Sequence, residues 1–178
     1  MALHLGHRES IDFDFFTPYG FNPDSLFIEF QKIFKGFKLD IVQNDVNTLT
    51  IIVDSMIKVS FFAYPYKVIE PLIDEPNLRL ASILDIACMK CSAIVNRAKF
   101  KDYVDLYFIL HLIPLDKLVE SVKIKLSSLD INLVMKSLIY LSDLDEEPIK
   151  FRQGKEVERS EVEKFLMGQV KNLQILPK

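Results

Sequence analysis

Hydrophobic and polar positions alternate in four short stretches between Ser10 and Ala63, and a spacing of three to four residues takes over from Ser82 onward. Residues 10–16 (SIDFDFF), 38–43, 48–53 and 57–63 therefore read as strands. The last three are separated only by 44–47 and 54–56, turns short enough to imply an antiparallel meander. Residues 2–7 read as the end of a helix stopped at Gly6, and Asp24 or Ser25 caps an amphipathic helix that reaches Lys35 and ends at Gly36. Pro65, Pro71 and Pro76 punctuate a loop of about fifteen residues, a length that suggests a substrate-facing role. Helical periodicity then covers 82–97, 101–112 (stopped by Pro114), 116–126, 130–141 and 156–176, with the acidic run DLDEEP at 143–148 as a loop. The order predicts an α+β fold: a small mixed β-sheet core over residues 1–80, followed by a helical bundle over 81–178.

Composition narrows the class. At 178 residues, with 49% hydrophobic and 26% charged residues, the chain can bury a core as one domain or one domain with a helical extension. Fourteen Phe and no Trp point to a Phe-rich interior. A formal charge of -3 supplies no whole-molecule field toward nucleic acid or an anionic membrane, so any RNA contact must come from a local basic patch. No apolar stretch is long enough for a signal peptide or a membrane span, and a soluble, cytoplasmic protein with no membrane partner is expected. Cys88 and Cys91 are spaced C-x-x-C inside an apolar helical pattern, with no second pair and the histidines elsewhere. Buried thiols are the commoner outcome of such a pattern than a redox or zinc pair.

Asp12 and Asp14 carry the most specific chemistry. Two apart in a strand, they leave the same face with Cα atoms about 6.6 Å apart, a gap that one or two divalent ions can bridge. Phe13 and Phe15 project to the opposite face and are expected to fix the strand in the core. A bare D-x-D is nonetheless more often the solvent face of an edge strand than a metal site. Further on, Lys90 and Arg97 are seven apart and share a helix face, as do Asp102 and Asp105, three apart on the next helix. Those faces suit either a triphosphate or an interhelical salt-bridge cluster that orients the two helices. Tyr107 and Phe108 suit a core better than base stacking.

The run HLGHRESIDFDFF, residues 4–16, resembles the second half of the signature of the AbiEii/AbiGii-type nucleotidyltransferase toxins. There a Gly-Gly-Thr or Gly-Ser turn, a short helix and an Arg-x-Ser-x-Asp-x-Asp-Phe-Phe strand follow in order. LASILDIACMKCSAIVNRAKFKDYVDLYFIL, residues 80–110, resembles the family's helical segment at Asp85, Lys90, Arg97, Lys101, Asp102 and Asp105. KVSFFAYPY, residues 58–66, resembles the strand between them, so that the likeness spans residues 2–112. The resemblance implies transfer of a nucleotidyl group from a nucleoside triphosphate to an acceptor, RNA and notably the 3′ end of tRNA. It makes the protein a bacterial toxin in a toxin–antitoxin or abortive-infection system with a cognate antitoxin. Asp12 and Asp14 would bind Mg²⁺ or Mn²⁺. Asp12, Asp14, Lys90, Lys101, Asp102 and Asp105 would be the catalytic set, with Arg8, Ser10 and Arg97 toward the nucleotide.

Two departures temper that implication. The family's glycine turn aligns just before Met1, which leads us to expect an amino-terminally truncated member whose first strand and turn are missing. Such a sheet invites a second copy to supply a strand, as a homodimer. The third carboxylate usual in nucleotidyltransferases is also absent: its position falls on Ser60, and Asp54 lies in a turn. The alternative is a truncated, catalytically inactive relative acting as a protein- or RNA-binding scaffold, which leaves open whether the chain is an enzyme.

Overall fold

The computed structural model describes residues 1–97, 99–141, 144 and 147–173. They fall into two compact units, one formed by Ser10–Tyr66 and the other by Met1–Glu9 with the chain from Lys67 onward. Residues 67–80 and 1–9 thus group with the helices, whereas the sequence reading divides the chain at residue 80.

The first unit holds β1 (Asp12–Thr17), α2 (Pro23–Ile33), β2 (Leu39–Asp45), β3 (Thr48–Val53) and β4 (Ile57–Ala63). The strands form one mixed sheet in the order β1-β4-β3-β2, parallel between β1 and β4 and antiparallel elsewhere, with a register shift between Ile41 and Gln43. The antiparallel meander follows from tight turns: Asp54 and Ser55 both take positive φ, and Met56 N donates to Val53 O at 3.1 Å. The Asp54 carboxylate accepts from Lys38 N at 2.8 Å, so this acid closes the neighbouring strand. A Cβ at Gly20 would lie 2.9 Å from Asn47 Oδ1, the atom that accepts from Phe21 N, so any larger residue there must displace that contact. The helix begins one or two residues before the expected cap. Asn22 Oδ1 accepts from Ser25 N at 2.9 Å with Pro23 at the first helical position, where its missing N–H leaves no bond unmade.

One face of the sheet is apolar. Leu49, Ile51, Val53 and Val59 are buried, and Leu26, Phe27, Phe30 and Phe34 of α2 pack against them, Phe30 meeting Phe61 edge-on at 5.2 Å. Phe13 and Phe15 point to this face, since they pair with Val59 and Phe61 in register. They are not core residues, however, being 47% and 45% exposed. The helix contacts β2 and β3, and β1 lies beyond it at the edge of the sheet.

The second unit contains α1 (Ala2–Leu5), closed by Gly6 in the left-handed region, a two-stranded hairpin of β5 (Ile73–Glu75) and β6 (Leu78–Leu80), and helices α3 (Ile83–Asn96), α4 (Phe100–Leu110), α5 (Leu115–Lys125), α6 (Ile131–Ile139) and α7 (Arg159–Asn172). The hairpin lies within the stretch expected to be loop, turned by Pro76 and Asn77. Ser82 caps α3 by accepting from Asp85 N, and Asp130 caps α6 by accepting from Asn132 N. Leu84, Ala87 and Cys91 of α3, Leu106 and Ile109 of α4, Leu118 and Val122 of α5, Leu138 of α6 and Leu166 of α7 join in one buried core. The acidic residues Asp143, Asp145 and Glu146 and the expected end of the last helix, 174–176, lie outside the described residues.

A buried ion pair joins three parts of this core. Lys125 Nζ donates to Asp85 Oδ1 at 2.8 Å and to Lys67 O at 2.8 Å, while Asp85 also accepts from Ser82 Oγ and from the backbone N–H groups of Ile69 and Glu70. Burial alone would raise the Asp85 carboxyl, but the Lys125 bond and these N–H and O–H donors together hold it below its ordinary value. We expect Lys125→Met to destabilise the protein by about 3–5 kcal/mol in urea unfolding, because it strands a buried carboxylate. Lys125→Met combined with Asp85→Leu should recover part of that loss. A single variant with wild-type stability would show that the pair is not an anchor.

Candidate functional site

In the sheet unit, Asp12 and Asp14 sit on β1 opposite Lys58 and Ser60 of β4, and Ser60 in turn lies opposite Thr50 of β3. Strand alternation puts Asp12, Asp14, Lys58, Ser60 and Thr50 on the face away from α2, so the sheet divides into an apolar side and a side carrying oxygen donors. β1 is an edge strand: among the described residues it pairs with β4 alone. Ile11 O and Thr17 O accept from Lys58 N and Tyr64 N, which fixes the odd-numbered residues of β1 as those bonded to β4. The backbone groups of Asp12 and Asp14 consequently point outward, and Ser10 Oγ lies 3.4 Å from Asp12 N as a weak acceptor. Asp14 is exposed and Asp12 half-buried.

Ser60 is the unusual member of this face. It is 1% exposed, and its Oγ makes no hydrogen bond to any described residue. A buried hydroxyl without a partner costs about 1–3 kcal/mol, so its survival calls for an explanation. Among the described residues no three His, Cys, Asp or Glu side chains gather to hold a metal by themselves. The donor set of two carboxylates and a hydroxyl nonetheless fits a hard divalent ion such as Mg²⁺, which commonly keeps one or two carboxylates and completes its shell with water and phosphate oxygens.

The helical unit brings together most of the remaining sequence-derived candidates. Asp105, 0% exposed, accepts from His7 Nε2 at 2.8 Å and from Arg8 Nε and Nη2 at 2.8 and 2.9 Å, while Lys90 Nζ lies 2.5 Å from its Oδ2. Lys90 also donates to Asp102 Oδ1 at 2.6 Å. Arg97 Nε stands 3.3 Å from Asp102 Oδ2, close enough for an ion pair but not aligned for a hydrogen bond, and its side chain is 54% exposed. Lys101 and Lys99 pair with Glu147 and pull that carboxyl down to about 2, through hydrogen bonds first from Lys99 and then from Lys101. The five candidates Arg8, Lys90, Arg97, Asp102 and Asp105 thus form one continuous network, with Lys101 held beside it by Glu147.

His7 is the member that sequence reasoning missed. It is wholly buried, tilts against the Phe108 ring at 4.7 Å, and leaves its Nδ1 without a partner among the described residues. Only its place beside Arg8 in the motif hinted at this. The backbone around it is pinned as well: Glu9 N donates to Lys150 O and Arg152 N to His7 O, forming an antiparallel bridge between Arg8 and Phe151. Tyr107 packs against Phe165 and donates its hydroxyl to Glu161 at 2.6 Å, which pushes its own ionisation up to about 12. Cys88 and Cys91 are both free and buried, and burial pushes the Cys88 thiol up to about 12 and Cys91 higher still. Burial thus favours the neutral thiol at both positions, as in a small apolar core side chain.

Residues 1–170 match the family model described as nucleotidyl transferase AbiEii toxin, type IV toxin–antitoxin system. The chain is also 35% identical over 179 aligned residues to an uncharacterized protein of Aquifex aeolicus (strain VF5), with 96% of this chain and 82% of that one covered. No solved structure matches it. Among the described residues no helix is long and apolar enough to cross a membrane.

The Asp105 network gives a pH signature. Burial would raise this carboxyl, but the hydrogen bonds from His7 and Arg8 and the charges of Lys90 and Arg8 outweigh it and hold the group far below its ordinary range. A depressed folded-state value means that ionised Asp105 stabilises the protein at every pH above its unfolded value of about 3.9, and that this contribution is lost as the pH falls below it. Asp105→Asn should therefore cost about 3–5 kcal/mol at neutral pH and flatten the decline in stability below about pH 4. Denaturant melts at pH 7 and pH 3 check both expectations.

Proposed function

This chain belongs to the AbiEii nucleotidyl transferase toxin family, and from that premise we propose that it transfers a nucleotidyl group from a nucleoside triphosphate to an RNA acceptor. The 3′ end of tRNA is the acceptor we favour, and a cognate antitoxin is the expected partner. The observation that carries the reading is the placement of Asp12 and Asp14 on one face of an ordered strand, beside a buried oxygen donor, in a chain matched to the family over residues 1–170.

Asp12 and Asp14 would hold Mg²⁺ or Mn²⁺, and when bound the ion supplies charge neutralisation for the attacking oxygen, the α-phosphate and the leaving pyrophosphate. The two carboxylates orient what they bind because β4 fixes their strand along its full length, with Phe15 stacked on Phe61 and Phe16 on Phe62. Ser10 caps the entry to that strand by accepting from Asp12 N. In the helical unit Arg97 keeps a half-exposed, only loosely paired side chain, whereas Lys101 is held by Glu147. Arg8, Lys90, Asp102 and Asp105 act as positioning residues, since each spends its charge within the network.

Titration of the 178-residue protein with a labelled nucleoside triphosphate and Mg²⁺ or Mn²⁺ tests the proposal. We expect metal-dependent binding that the double variant Asp12→Ala, Asp14→Ala abolishes, and label transfer to RNA by the parent protein only. Nucleotide binding that survives loss of both aspartates would remove the metal site from β1.

A further inference from the structure

We infer that Ser60 is the third oxygen donor of the divalent-ion site, a neutral ligand where a carboxylate would otherwise be needed; the inference rests on Asp12 and Asp14 binding the ion. Three observations within the sheet unit carry it. Ser60 is the register partner of Asp14 on the adjacent parallel strand, so the two side chains leave the same face about 4.8 Å apart at the backbone. The Ser60 Oγ is buried and has no hydrogen-bond partner among the described residues, although a carboxylate of the kind that usually accepts a hydroxyl proton stands on the next strand. Its strand is an interior one between β1 and β3, with Thr50 on its other side, so its backbone is fixed by pairing on both edges.

A serine oxygen is a hard donor of the kind that Mg²⁺ accepts, and it adds no charge. That neutrality has a consequence for the free protein. Asp12 and Asp14 already repel each other, and Lys58 opposite Asp12 supplies one compensating cation on this face. A third carboxylate at position 60 would be buried and uncompensated until metal arrived. Serine instead leaves the empty site tolerable and defers the completed ligand set to the bound state. Asp54, the nearest acid along the chain, is already engaged by Lys38 N.

The experiment is Mn²⁺ binding to the purified chain, followed by calorimetry and by the Mn²⁺-induced shift in melting temperature, in the parent, Ser60→Ala, Ser60→Asp and Asp12→Ala, Asp14→Ala proteins. Ser60→Ala removes a buried unpartnered hydroxyl without changing the volume much, so its metal-free melting temperature should equal or exceed the parent's. Its Mn²⁺ affinity should fall by about tenfold and its Mn²⁺-induced shift should shrink accordingly. Ser60→Asp should melt earlier without metal and gain a larger shift with it. Unchanged Mn²⁺ affinity in Ser60→Ala overturns the inference, as does a lower metal-free melting temperature with an unchanged Mn²⁺ shift, which would mark the hydroxyl as held by a buried water. If the parent itself shows no Mn²⁺ response that depends on Asp12 and Asp14, it is the reading of those carboxylates that fails, and the inference falls with it.

Discussion

One carboxylate, Asp105, holds the beginning of the chain to the helices almost a hundred residues away. It is fully buried yet faces His7, Arg8 and Lys90 together, and each of its oxygens has two partners. A lone carboxylate in such a place would be driven to its neutral form, and a lone arginine or lysine would be excluded from it. The groups tolerate burial only as a set. The segment His7–Arg8–Glu9, which leads directly into the D-x-D strand, is thereby clamped on its side-chain edge by Asp105 and on its backbone edge by residues 150–152.

The sheet unit solves a different problem. Its apolar face is built from β3 and β4 against the phenylalanines of α2, and this leaves the opposite face free of packing duty toward that helix. Polar residues at alternate positions can then gather there without breaking the core. β1 profits from the same arrangement. It needs only one hydrogen-bonded neighbour to be held straight, and the aromatic stacks Phe15–Phe61 and Phe16–Phe62 reinforce it on both faces. The aspartates are consequently on a rigid element at the sheet margin.

Local features of the fold were legible in the sequence because local physics sets them. The bounds of β3 and β4 follow from alternation between tight turns, and the helical stretches starting at 82 and 130 open on short polar residues directly before apolar periodicity. The start of α2 at Pro23 was missed because Asp24 and Ser25 are also good caps, and only the geometry at Asn22 decides which of these residues caps the helix. The exposure of Phe13 and Phe15 was not legible either, since alternation gives the face of a side chain but not where a helix ends above it. The same holds for the candidate site. Spacing and the family resemblance singled out Asp12 and Asp14, the Lys90–Arg97 face and the Asp102–Asp105 face. The partners His7 and Arg8 lie 98 and 97 residues from Asp105, and no periodicity reports on such pairs. Ser60 was legible as a missing carboxylate, but its burial and its unpartnered oxygen belong to the folded state alone.

The charge distribution bears on how an RNA acceptor, on the proposed reading, would be recognised. A net charge of -3 offers no long-range attraction to a phosphate backbone, and several of the cations are already committed. Lys90 serves Asp102 and Asp105, Lys125 serves Asp85, and Lys99 and Lys101 share Glu147. A phosphate must compete with these partners, and against the buried pairs it cannot, because breaking them leaves a carboxylate stranded. The surface pairs are different: Lys150 with Glu9 is largely solvated and contributes little, so its cation can be redirected at small cost. Cations such as Lys150 and the half-exposed Arg97 can therefore act only at short range. On that reading, recognition built on them depends on the acceptor's shape more than on electrostatic steering, and so is less sensitive to salt than binding by a basic groove.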